Sequence, residues 1–131
     1  MDAGETVLLV DGEILVRHEI AAYLRDCGYV VLEAADTDEA LIVLSEPHPP
    51  VDIVLCDANV GGSLNGFALS KWVRENRPEL GVLLAGNLER AVDAAGELCD
   101  EGPQLARPYD PSIVADRIRQ HLARRDRTRD G

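Results

Sequence analysis

Five short apolar runs punctuate this chain, at residues 6–10, 29–33, 51–57, 81–85 and 104–106, and segments of helical periodicity separate them. Val, Leu, Ile and Ala dominate these runs, with little alternation of polar and apolar positions. A strand buried on one face alternates; a strand buried on both faces does not. Strands that alternate with helices predict a parallel sheet with helices on both faces and right-handed crossovers. The chain's 131 residues suit one such domain, with no repeat and no second core.

The intervening helices carry start and stop signals. Ile14, Ile20, Ala21 and Leu24 keep helical spacing, with Arg17, Glu19, Arg25 and Asp26 on the wet side, and Gly28 ends the helix. Asp36 followed by Glu39 resembles a capping box that opens a helix ending before Pro47. Phe67, Leu69, Trp72 and Val73 mark a third helix that ends near Pro78. Leu88, Val92, Ala95 and Cys99 mark a weak fourth one with Gly96 inside it. Pro111 suits a first helical turn, and Ile113, Val114, Ile118 and Leu122 carry the last helix. The folded domain is expected over residues 5–122, and residues 123–131 as an irregular Arg-rich tail.

Composition excludes several classes. Aromatics are only 4% of the chain, so the core must be aliphatic. Cys27, Cys56 and Cys99 show no metal-ligand spacing and read as small core hydrophobes in a reducing compartment, without a disulfide. The acidic start lacks the basic segment of a secretion signal, and no apolar run reaches membrane-spanning length, which predicts a cytoplasmic protein. Net charge is −11, and residues 124–131 contribute four Arg and two Asp, so the body is more acidic still. Such a surface repels nucleic-acid phosphates. His18, His48 and His121 are scattered and read as surface residues.

The chemistry gathers at the strand ends. In open α/β sheets ligands bind beyond the carboxyl ends of the strands. There the layout delivers Asp11, Asp57, Ala85 and Arg107. Two carboxylates in one crevice resist joint ionisation unless a cation offsets them, and oxygen-rich, watery sites suit Mg²⁺. A carboxylate facing Mg²⁺ and a cation is a competent nucleophile toward a phosphoryl group.

These residues carry a family resemblance. The run Val7-Leu8-Leu9-Val10-Asp11-Gly12-Glu13, the strand end Val54-Leu55-Cys56-Asp57, Asn65-Gly66 and Arg107-Pro108-Tyr109-Asp110-Pro111 together resemble the receiver domain of two-component response regulators. The resemblance implies a flavodoxin-like sheet of order 2-1-3-4-5. It implies Asp57 as phospho-acceptor, and Mg²⁺ held by Asp11, Asp57 and the Asn59 backbone carbonyl. Arg107 falls at a conserved-lysine position, Ala85 at a threonine or serine position, and Gln104 at an aromatic switch position. Arg107-Pro108 matches a pair joined by a cis peptide bond in the family, which proline permits.

The departures from the pattern are informative. Receivers carry two adjacent acids after the first strand, but here the second is Gly12, so Mg²⁺ binding is expected to be weakened. In this register Glu13 starts the helix and points elsewhere. Ala85 supplies no hydroxyl, and Gln104 supplies no ring. Arg107 keeps the charge as a planar fork rather than a point. Lys71 is the only lysine among 13 basic residues, so arginine is also this chain's general habit. Tyr109 is expected to pack under the last helix rather than act as a displaced switch residue.

The resemblance implies a stand-alone receiver that takes phosphate from a histidine kinase or phosphotransfer protein and acts through a downstream protein partner. It allows a homodimer through the face formed by the fourth helix, fifth strand and fifth helix. The rival reading is a phosphorylation-independent interaction module, favoured by Gly12, Ala85 and Gln104. A phosphatase using Asp57 would want an acid where Asn59 stands, and a nucleotide binder would want a glycine-rich phosphate loop. The chain is therefore expected not to be an enzyme.

Overall fold

A computed structural model describes residues 5–47, 50–102 and 109–130, with side chains as far as residue 124. Its elements run β1 (Thr6–Val10), α1 (Ile14–Asp26), β2 (Val30–Ala34), α2 (Thr37–Ser45) and β3 (Ile53–Asp57). They continue with α3 (Gly66–Asn76), β4 (Gly81–Ala85), α4 (Leu88–Glu101) and α5 (Pro111–Asp130). The described strands form one parallel sheet of order β2-β1-β3-β4. This matches the expected order over those four strands; the expected fifth strand, residues 104–106, lies outside the described residues.

Local chemistry sets the boundaries. Gly28 follows α1 with φ of 104° and donates its N–H to the Arg25 carbonyl, a conformation that favours glycine. Tyr29 still belongs to this exit turn, because its N–H bonds the Leu24 carbonyl, and so β2 begins one residue later than expected. The capping box at α2 is reciprocal. Asp36 accepts from the Glu39 N–H at 2.8 Å, and the Glu39 carboxylate accepts from the Ala35 N–H at 2.7 Å. Asp52, just before β3, accepts from the Thr6 N–H at 2.8 Å and ties the start of the central strand to β1. The Arg-rich segment, expected to be irregular, continues α5 to Asp130. No Pro or Gly interrupts residues 112–130, and Arg, Ala, Leu and Gln all favour helix.

Two cores flank the sheet. Leu8, Val10, Val54 and Cys56 face α2 and α3, packing with Ala40, Leu44, Leu69 and Val73, and Trp72 is half-buried against them. Val7, Leu9, Val31 and Leu55 face the other side, where Ile20, Tyr23 and Leu24 of α1 meet Val92, Ala95 and Leu98 of α4 and Val114 and Ile118 of α5. Tyr109 packs edge-on against Tyr23 at 5.2 Å between centroids, beneath the Arg117 guanidinium of α5, as expected. Ion pairs join α5 to its neighbours: Arg117 and His121 reach Glu19 of α1, and Arg119 reaches Glu89 of α4.

One expectation fails on this second face. Cys27 and Cys99 are not separate core residues; they form a disulfide between the end of α1 and the last turn of α4. Cys56 alone is free, buried at the end of β3. Sequence spacing hid the pair because the two residues are 72 positions apart and only the packing of α4 on α1 brings their Cα atoms to 5.6 Å. α4 shares this face with α1 and α5. Right-handed connections put α1 on one face and α2 and α3 on the other, since the chain reverses direction across the sheet after β2. A connection leading outward past β4 would put α4 with α2 and α3, yet it packs with α1.

Candidate functional site

The register of the sheet assembles the site. Val10 pairs with Cys56, so Asp11 and Asp57, one residue on, leave the sheet side by side. Asp57 in turn pairs with Ala85, and the Ala58 N–H bonds the Ala85 carbonyl at 2.8 Å. Beyond these strand ends lies a cleft of about 200 Å³ lined by Asp11, Glu13, Val16, Asp57, Asn59, Asn87, Leu88 and Ala91.

Each carboxylate is held by the turn that follows it. The Asp11 carboxylate accepts the Glu13 N–H at 2.9 Å, and its backbone carbonyl accepts from the Arg17 guanidinium at 2.9 Å. Arg17 is fixed from behind by Glu33 at 3.1 Å. The Asp57 carboxylate accepts the Asn59 N–H at 3.1 Å, and the Asn59 side-chain amide donates to the Gly86 carbonyl at 3.2 Å. Asn59 therefore links the loop after β3 to the loop after β4. The Asp57 carbonyl is crowded from below by α3: a methyl group on Gly66 would sit 2.6 Å from it and 2.8 Å from the Ala58 Cα. Only glycine allows α3 to start so close to the strand end.

The rest of the loop is anchored to α2. Buried Thr37 donates its hydroxyl to the Leu64 carbonyl at 2.8 Å and accepts the Leu64 N–H, while Asp38 accepts the Ser63 N–H at 3.1 Å. Thr37 has no signal in the sequence, because the contact spans 27 positions.

Among the described residues the pocket is acidic, with Asp11, Glu13 and Asp57 in its lining. Burial pushes the Asp11 carboxyl up to about 6, the Glu13 N–H draws it back, and the Asp57 charge raises it again. Cys56 is pushed up to about 12 by burial and then by Asp57 and Asp11, so its thiol stays neutral.

The structure brings together Asp11, Asp57, Asn59 and Ala85 as the sequence predicts. Arg107 and Gln104 lie outside the described residues. Gly12 is closely approached: a methyl group there would meet the Ala35 carbonyl at 3.3 Å, a tight contact. One expectation is corrected, because Glu13 lines the cleft rather than pointing elsewhere. It is the N-cap of α1, with extended backbone. Asn87, Leu88 and Ala91 were not legible as site residues, since α4 reaches the cleft only by lying on the α1 face. Among the described residues, no three acidic, His or Cys side chains converge closely enough to hold a metal ion alone.

The family model for the response regulator receiver domain matches residues 7–104. The chain belongs to the response regulator receiver family. AruR of Pseudomonas aeruginosa, a transcriptional regulatory protein, is 32% identical over 122 residues, covering 90% of this chain and 49% of the relative. The phosphate regulon regulator PhoB of the same organism is 30% identical, covering 92% of this chain and 53% of the relative. The chain thus spans about half the length of these two regulators. Among solved structures, the chemotaxis response regulator CheY4 of Vibrio cholerae superposes with a TM-score of 0.58 at 26% identity, covering 88% of this chain and 97% of that one. The receiver domain of NtrX from Brucella abortus gives a TM-score of 0.57 at 28% identity, covering 86% and 96%.

Proposed function

We propose that this receiver accepts a phosphoryl group on the Asp57 carboxylate from a phosphohistidine of a kinase or phosphotransfer protein. The observation that carries the reading is the register-paired exit of Asp11 and Asp57 into one cleft at the end of the central strand. In the transfer, an Asp57 oxygen forms the new O–P bond as the N–P bond of the donor breaks. The donor imidazole leaves with the electron pair and takes up a proton. The Asn59 N–H fixes the carboxylate from one side, and Ala85 packs beside it without a hydroxyl to bond the arriving group.

Asp11, Asp57 and the Asn59 carbonyl would hold Mg²⁺. The fit rests on Asp11 and Asp57 leaving the sheet side by side into one cleft, where burial first and the Asp57 charge second raise the proton affinity of Asp11. Two carboxylates suit an ion that keeps several of its own waters. When bound, Mg²⁺ supplies charge neutralisation for the transferring phosphoryl group. Arg107 would add a cation to the same rim. Signalling would then reach a protein partner, in the cytoplasm, without the hydroxyl-to-ring relay that Ala85 and Gln104 lack, and the domain would turn over no separate substrate. A homodimer through α4 and α5 is compatible with this role.

Incubation with acetyl phosphate and Mg²⁺, followed by intact mass, tests the proposal. We expect a gain of one phosphoryl group that is lost in Asp57→Asn. No gain in the native protein, from acetyl phosphate or from a kinase, favours the second reading, a phosphorylation-independent binding module. The buried methyl of Ala85 beside Asp57 supports that alternative.

A further inference from the structure

The Cys27–Cys99 bond joins α4 to α1 on the face of the sheet opposite α2 and α3. Three observations bear on what it does. First, α4 grips its neighbours weakly. Its buried residues are Ala91, Val92, Ala95, Gly96, Leu98 and Cys99, mostly small side chains that remove little apolar area from water. The Tyr29 hydroxyl bonded to the Leu98 carbonyl and the disulfide secure its C-terminal half. Second, among the described residues β4 pairs on one side only, and a parallel strand added there by a right-handed connection needs α4 on the opposite face. Third, the first turn of α4 supplies Leu88 and Ala91 to the Asp57 cleft, and its cap Asn87 lines it too. Whatever releases α4 reshapes that cleft.

We propose that the Cys27–Cys99 pair is a thiol–disulfide exchange site whose oxidised form locks α4 onto α1, and whose reduction frees α4 to leave that face. The co-reactant is a dithiol. One of its thiolates attacks a protein sulfur, the S–S bond breaks, and a mixed disulfide forms. The second thiol of the reductant then displaces the protein sulfur. Two electrons pass to the protein, whose two cysteines take up the two protons released by the reductant's thiols, and the reductant leaves as its disulfide. Both cysteines are buried, at 0% and 3% exposure, so exchange follows local opening of the α4 end. In a reducing compartment, disulfides that form are chiefly redox-sensing or catalytic ones, which fits a switch better than a permanent staple. The proposal does not depend on phosphorylation of Asp57.

Hydrogen exchange of the whole chain, before and after treatment with dithiothreitol, tests it. Alkylation under denaturing conditions sets the redox state: Cys56 alone labels in the oxidised protein, and all three cysteines label in the reduced one. We expect exchange of α4 amides to rise at least about tenfold on reduction, while α2 and α3 keep their protection. The double variant Cys27→Ala, Cys99→Ala should match the reduced protein and ignore dithiothreitol. Unchanged α4 protection in reduced protein overturns the switch. So does loss of protection throughout α2 and α3, which would make the bond a global staple. Labelling of all three cysteines after treatment with an oxidised dithiol would show that no bond forms, and would overturn it as well.

Discussion

Asp11 offers the sharpest physical test of the cleft. Its carboxyl is 6% exposed, beside apolar Val16, Leu88 and Ala91 and the Asp57 charge. Burial raises it from 3.8 in an unfolded chain to about 6 in the fold. The folded state therefore prefers the protonated acid. Its stabilising contribution is whole below about pH 4 and is lost as pH rises to about 6. Two units at about 1.4 kcal/mol each make the loss about 3 kcal/mol at neutral pH. Asp11→Asn keeps an oxygen to accept the Glu13 N–H but cannot ionise. Urea unfolding in a chelating buffer should find the variant gaining on the native chain by about 3 kcal/mol between pH 4 and pH 7.5. Contributions from carboxylates remote from the cleft are common to both proteins and cancel in the difference. A difference between the two proteins that stays flat with pH would refute the desolvated setting assigned to Asp11.

Two further substitutions probe the same cleft. Gly12→Asp needs only a slight shift against the Ala35 carbonyl, and a third nearby carboxylate should raise Mg²⁺ affinity at least about tenfold in a fluorescence or calorimetric titration. Gly66→Ala should destabilise the domain by about 2 kcal/mol in denaturant unfolding, despite alanine's better helix propensity, because its methyl would lie 2.6 Å from the Asp57 carbonyl.

The sheet was readable because its information is local and one-dimensional. Each apolar run with few polar interruptions named a strand buried on both faces, and the residue after the run named what the rim receives. That logic placed Asp11, Asp57 and Ala85 together without any knowledge of packing. It placed Asp36 and Gly28 as helix punctuation for the same reason: caps act within four residues of themselves. Glu13 escaped it by a single residue. A register argument treats the position as helical, whereas an N-cap keeps extended backbone.

What stayed hidden around α4 follows from a symmetry in the pattern. An amphipathic stripe states which side of a helix is buried, but both faces of this sheet are equally aliphatic, so the stripe fits either. Handedness usually resolves the choice, because a strand that follows the helix draws it to one face. Among the described residues, a bond to Cys27 and a tie to Tyr29, both contacts of long sequence separation, hold α4 on the α1 face. A helix whose buried side adds only Val92 and Leu98 to Ala, Gly and Cys has little side-chain shape to prefer one face over the other. The same smallness that makes α4 hard to place from sequence makes its position sensitive to one covalent link. A connection spanning 72 residues removes about 4 kcal/mol of unfolded-chain entropy in the loop-closure account. Under the proposed switch, the placement of α4, and with it the lining of the Asp57 cleft, is coupled to the oxidation state of Cys99 within the helix and Cys27 at the end of α1.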